Sequence, residues 1–265
     1  MAHLLKLYGL HIKYNIKAQM QYRVNFVTGL FTNFYAYFLM YTSIWIITNK
    51  FKMIDGWDYN DLILLSALNL FSYSIASTFL FDYVYGLERY INDGRFDRVL
   101  VRPIFPMYSM IFDGFSWSGI GQILVSCIFL GVSVVTVDID WSLFKAFYFV
   151  ASVIGAVLIQ SAALIFFGSL SFWLKKSFTL TQILFINFRT VINYPISIYG
   201  TLFSSVLTFI LPWAFINFYP AAYLLDKPVT YPKLYLLTPV LGVLLFTFSI
   251  LLTRMGIRKY NSVGS

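Results

Sequence analysis

The sequence predicts an all-α membrane protein. The expected parts are six transmembrane helices, an N-terminal interfacial helix, a short amphipathic helix on the cytoplasmic face between helices 2 and 3, and a re-entrant helical hairpin between helices 5 and 6. Three observations predict it. Of the 265 residues, 59% are hydrophobic and 11% charged, where soluble domains carry roughly 25% charged residues. Several apolar stretches reach the roughly 20 residues that a helix needs to cross hydrocarbon. The basic residues gather in alternate connections between those stretches, as the positive-inside rule requires.

The first element is Leu4–Gln21, too charged to span. On a helix, Lys6, Lys13 and Lys17 fall within about 40° of one another, opposite Leu4, Leu5, Tyr8, Ile12 and Ile16. Residues 1–23 therefore form an interfacial helix with its lysines toward the headgroups. The same lysines interrupt any apolar core that a cleavable signal would need. Five spans are clear: Asn25–Ile47, Leu62–Phe81, Phe115–Val137, Phe144–Trp173 and Leu234–Thr253. A sixth, Phe178–Tyr194, is shorter and holds Asn187, Arg189 and Asn193. Six of the eight prolines follow residue 194. The apolar region 195–230, interrupted by Pro195, Pro212 and Pro220, fits two half-spanning helices better than one crossing. The alternative is a kinked helix with an outside loop.

Six crossings put both termini on one side, the cytoplasm. Thirteen of the nineteen Lys and Arg residues fall there with five of the eleven acids. The basic excess thus lies on one face, and this alternation argues against nucleic acid as a partner. Cys127, in an apolar run, is expected as a small core residue. Only His3 and His11 are histidines, so no metal cluster is expected. No P-loop glycine–lysine motif occurs, so the chain is not expected to bind ATP by such a loop. No catalytic constellation is found. Ion coupling is disfavoured because no clear span holds a central acid.

The longest inside loop is Asp82–Asp113. Val84, Leu87 and Ile91 share one helical face, Gly94 can take the left-handed conformation that ends a helix, and Arg102-Pro103 forces an extended exit. Such an element can dock into a groove on a soluble partner; it can equally be a solvated loop. Arg189 is the most unusual residue. It lies about 16 Å along the fifth helix, near mid-membrane, where a charge costs at least about 2.5 kcal/mol. Either it makes a polar contact in a transport path, such as to an anionic headgroup, with Asn187 and Asn193 alongside, or it bonds carbonyls opened near Pro195 or snorkels. Trp57, Trp141 and Trp213 are expected at outside boundaries. The 28 Phe and 20 Tyr suit an amphiphilic cargo more than a metal cation.

The stretch GLERYINDGRFDRVLVRPIFP resembles the first cytoplasmic loop of ABC-2 type exporter permeases. NYPISIYGTLFSSVLTFILPWAFINFYPAAYLL resembles the re-entrant helices that follow their fifth helix. The resemblance covers nearly the whole chain as one transmembrane domain over 1–265, closest to ABC-2 permeases of about 260 residues. It makes 1–23 the elbow helix and 82–113 the coupling loop. It implies that Gly86, Leu87, Glu88, Arg89, Ile91, Gly94, Phe96, Asp97 and Arg98 form the contact with an ATPase. It further implies a separate ABC ATPase in two copies that holds the ATP and Mg, a second permease chain, identical or a paralogue, and a place in the bacterial cytoplasmic membrane. The expected function is export of an amphiphilic or hydrophobic cargo, and the chain itself is expected to be no enzyme. The alternatives are a membrane sensor or immunity protein and a lipid-modifying enzyme.

Overall fold

The computed structural model describes residues 23–114, 117–174 and 176–262. The expected interfacial helix Leu4–Gln21 lies outside them. Their helices are α1 (Arg23–Phe51), α2 (Tyr59–Asn92), α3 (Phe96–Leu100), α4 (Pro106–Asp113), α5 (Trp117–Thr136), α6 (Leu143–Ser169), α7 (residues 177–191), α8 (Ile196–Ile210), α9 (Pro212–Leu224) and α10 (Thr238–Lys259). No β-strand occurs among the described residues, in line with the all-α expectation. Five helices are long and apolar enough to cross a membrane, all within α1, α2, α5, α10 and the stretch Leu143–Phe172; the bent pair α8–α9 would make a sixth.

Local chemistry sets the helix starts. Asp58 caps α2 by accepting from the Asp61 amide at 2.9 Å, and the Asp61 carboxylate accepts from the Asp58 amide at 3.1 Å. This reciprocal box satisfies two amides that a helix start leaves free. The Ser142 hydroxyl does the same for α6, accepting from the Lys145 amide at 3.1 Å. Pro239 sits in the first turn of α10, where its missing N–H costs nothing.

Helix α2 is the axis of the bundle and packs on both α5 and α6. At one end of it lie Asp61, Lys145 of α6 and Lys227 after α9. At the other end Glu88 meets the start of α7. There Phe96 packs edge-on to Phe172 and Tyr260, with ring centres 5.4 and 4.9 Å apart. Helix α7 runs antiparallel to α2. Phe178 lies against Phe81 and Tyr85, and Phe185 against Tyr73. It opens with an α turn (Ser177–Leu180), widens to a π-helix (Thr181–Asn187) and closes with another α turn (Phe188–Val191). The pair α8–α9 bends by 72° at Leu211–Pro212. Ile196, at the start of α8, and Lys227, beyond α9, line one cavity of about 310 Å³ with Asp55, Gly56 and Trp57. The pair therefore enters and leaves at the Asp61 end. Its tip, Ile210–Trp213, reaches Ile159 and Phe166 of α6 and Leu245 of α10.

Several expectations are corrected. The separate amphipathic helix in the Asp82–Asp113 loop is instead the last turns of α2, which continues unbroken to Asn92. Leaving hydrocarbon does not end a helix, and no proline lies between Phe81 and Asp93. Gly94, at φ +68°, makes the stop. The fifth helix ends at Val191, not Tyr194. Cys127 is exposed on α5 rather than in the core. Trp213 is buried at the hairpin tip, 5.6 Å from the ring of Phe185, rather than at an outside boundary.

Helices α6 and α10 share the most extensive contact in the fold, and glycines set its spacing. A Cβ on Gly242 would lie 2.6 Å from the Gly155 carbonyl oxygen, and one on Gly155 would lie 2.7 Å from the Thr238 oxygen. Small residues let two helix backbones approach this closely. Gly242→Val should destabilise the bundle by about 1–3 kcal/mol through overpacking, read as a lower unfolding temperature in detergent. Gly131→Val, whose Cβ would meet nothing within 4 Å, should leave that temperature unchanged.

Candidate functional site

The interior of α2 is polar along much of its length: Ser66, Asn69, Ser72, Ser74, Ser77 and Thr78 are all buried. The hydroxyls largely satisfy themselves on their own helix. Ser66 donates to the Leu62 carbonyl and Ser72 to Leu68, both at 2.7 Å, and Thr78 to Ser74 at 2.6 Å. A carboxamide is longer and reaches across. Asn69 Nδ2 donates to the Arg189 carbonyl at 3.1 Å and to Asn193 Oδ1 at 2.8 Å. Gln160 Nε2 of α6 donates to the Asn69 carbonyl at 3.0 Å and to Ser72 Oγ at 2.7 Å. Asn217 Nδ2 donates to the Leu65 carbonyl at 3.0 Å and the Ile192 carbonyl at 2.5 Å. Three carboxamides thus join α2, α6, α9 and the end of α7. The carbonyls of Arg189 and Ile192 that they serve lie at or just past the frayed end of α7, where an α-helix would have offered amides.

Arg189 stands at this junction, beside Asn69, which lies about 15 Å along α2 from its start. Its guanidinium carbon sits 3.7 Å from the centre of the Tyr73 ring. Its Nε and Nη1 are buried with no hydrogen-bond partner. Of the other expected path residues, Asn193 joins the network through its side chain. Asn187 is exposed, and Pro195 is buried at the start of the turn into α8. Pro212 opens α9 at the bend. Pro220 sits in the first turn of the α-helical part of α9, where its missing N–H costs little.

The residues expected to meet an ATPase divide by environment. Leu87, Ile91 and Phe96 are buried, so they anchor the segment from within. The Glu88 carboxylate accepts from the Phe178 amide at 2.6 Å and from Ser177 Oγ at 3.2 Å. It is the N-terminal cap of α7, and its negative charge suits that helix end. Asp97 accepts from Ser262 Oγ at 2.5 Å and so ties α3 to the chain beyond α10. Gly86 faces Met110 and Tyr90. Arg89, Arg98 and Arg102 are exposed, as are Leu100 and Val101, the latter 83% exposed. Arg102 also pairs with Asp113 at 2.6 Å.

At the opposite end two ion pairs strap adjacent residues to different helices. Asp226 takes Lys145 of α6 at 2.6 Å, and Lys227 takes Asp61 of α2 at 2.7 Å. Lys145 also donates to the Leu224 carbonyl at 3.0 Å, and Lys227 to that of Gly56 at 2.8 Å. Burial and the neighbouring Asp226 push the Tyr235 phenol above its usual range.

Asn69, Gln160 and Asn217, together with these straps, are absent from the sequence-based expectations. A signal existed for the carboxamides: each is a lone strongly polar residue in an otherwise apolar run. The straps left none, because loop charges are common.

The arrangement is a helical membrane bundle with a polar, broken centre. A family model described as ABC-2 family transporter protein matches residues 31–264. The chain belongs to that family: it is a multi-pass membrane permease of an ABC transporter, and membership implies partnership with an ABC ATPase. No curated protein and no solved structure matches the chain.

The Asp61–Lys227 pair yields a test. Asp61 keeps only 8% of its side chain exposed, so removing one partner strands a charge. Lys227→Met should cost about 3 kcal/mol, and the double variant with Asp61→Leu should recover most of it, measured as a double-mutant cycle on unfolding in detergent. Asn69→Leu should cost about 1–3 kcal/mol by orphaning its partners, with a matching drop in the same unfolding measurement.

Proposed function

We propose that this permease exports an amphiphilic or hydrophobic cargo from the cytoplasm, driven by a separate ATPase. One observation carries the reading: the Glu88 carboxylate binds the Phe178 amide in the first turn of α7. The ATPase-facing end of α2 and the start of the broken helix thereby move as one. A push delivered at the 82–113 loop reaches α7 directly, and α7 ends at Arg189, Asn193 and the hairpin. Ridges of packed helix move as rigid units in transitions of this kind.

In this reading, two permease chains, identical or paralogous, enclose the path and two ATPase copies sit beneath, holding the ATP and Mg. Both termini are cytoplasmic, in a bacterial inner membrane. The ATPase meets Arg89, Arg98 and the Leu100–Val101 knob, while the buried Leu87, Ile91 and Phe96 keep that surface in shape. Arg189, Asn193 and Pro195 border the path, and the hairpin turning at Pro212 closes its far side.

The test is co-purification with a P-loop ATPase from the native host. Val101→Glu with Arg98→Glu should abolish association and leave the unfolding temperature unchanged. Glu88→Gln should keep association but lower ATP-driven transport in proteoliposomes by about tenfold, because a neutral amide forms a weaker cap. Full transport by Glu88→Gln would rule out the coupling role.

A further inference from the structure

We propose that Arg189 is the seat for an oxyanion head, phosphate or carboxylate, on an amphiphile that enters between α1, α2 and α5. This rests on the reading of α7 as a wall of the transport path and names the class of molecule that wall would recognise.

Arg189 presents a permanent charge at a depth where hydrocarbon surrounds the bundle. Burying a guanidinium is sustained by pairing and full hydrogen bonding. Here the Tyr73 ring supplies one face, at 3.7 Å. A ring face satisfies charge but accepts no N–H in the plane of the fork, and Nε and Nη1 stay without an acceptor. The neighbouring carboxamides do not serve. Asn69 and Asn193 bond each other, and Asn69 takes the Arg189 carbonyl rather than its side chain. Each of these nitrogens is an open, charge-assisted donor for an oxygen of a carboxylate or phosphate.

Tyr73 also forms a wall of a second cavity, about 280 Å³, with Asn33 of α1, Ser77 and Phe81 of α2, and Gly119 and Gln122 of α5. This cleft holds hydroxyl and amide groups next to aromatic surface, as a head-plus-chain molecule needs. Asp82 lies at its far end, about 13 Å along α2 from Tyr73. The acid therefore stands away from the arginine and would turn an anion toward it.

The probes are dodecyl phosphate, dodecylphosphocholine and inorganic phosphate, titrated against the full chain in neutral detergent. The readout is the shift in unfolding temperature, which reports binding to the folded state. Dodecyl phosphate should bind about tenfold more tightly than the choline analogue, the yield of one strong charge-assisted contact. Arg189→Gln should erase that preference, and Arg189→Lys, which keeps the charge without the fork, should retain part of it. If Arg189→Gln does not fold, a preference in Arg189→Lys equal to that of the parent chain overturns the assignment. An unchanged preference in Arg189→Gln also overturns it. So does stabilisation by inorganic phosphate equal to that by dodecyl phosphate, which would make the site one for free anions. A fall from dimer to monomer in Arg189→Gln with the preference intact would assign the guanidinium to a second copy of the chain instead. None of these titrations uses ATP or transport. A failed export assay would therefore strike the proposed function alone, and the absence of any dodecyl phosphate preference in the parent chain would strike the anion seat alone.

Discussion

Hydrocarbon offers no hydrogen bonds, so any backbone that leaves the helical ladder inside the bundle must find partners within the protein. Here that duty falls on carboxamides. Asn69 and Asn217 together hold the Arg189 and Ile192 carbonyls at the point where α7 gives way to the hairpin. Gln160 in turn fixes Asn69 by its backbone carbonyl and Ser72 by its hydroxyl. Without this junction, the irregular stretch from residue 191 to the start of α8 would have to straighten or move to water. The bent pair α8–α9, the cavity it borders and the placement of Arg189 all follow from it.

The apolar runs were legible because lipid demands them: five long helices fall where hydropathy puts them. What hydropathy marks, however, is where hydrocarbon ends and not where a helix ends. That is why α2 outruns its expected limit by eleven residues, through Asn92. An apolar run also fails to say which side faces inward, since lipid and core are alike apolar. Cys127 and Trp213 show the two errors that result, one turned out to the surface of the bundle and one carried into its depth. The polar residues followed a different logic. Arg189 stood out by its cost alone. Asn69, Gln160 and Asn217 cost less and blended into their runs, although their geometry organises the centre. The ion pairs at Asp226 and Lys227 depend on folding that brings distant loops together, which no local pattern encodes.

The two ends of the bundle are held by different means. At the Glu88 end, Phe96, Phe172 and Tyr260 interlock, and a carboxylate caps α7. At the Asp61 end, adjacent residues of opposite charge reach apart to α6 and α2. Aromatic packing resists sliding over short distances, whereas an ion pair can open and re-form without rebuilding a core.

The wide turn in the middle of α7 has a geometric consequence. A π turn holds one residue more than an α turn, so it acts as a stored index. Rewinding Thr181–Asn187 as ordinary α-helix would discharge that surplus and swivel everything beyond it by about 100°. Arg189 would then swing off the Tyr73 ring to another azimuth, with Phe178 still pinned by its cap. One residue of slack would thus re-aim the end of this helix with no change in the position of its anchor.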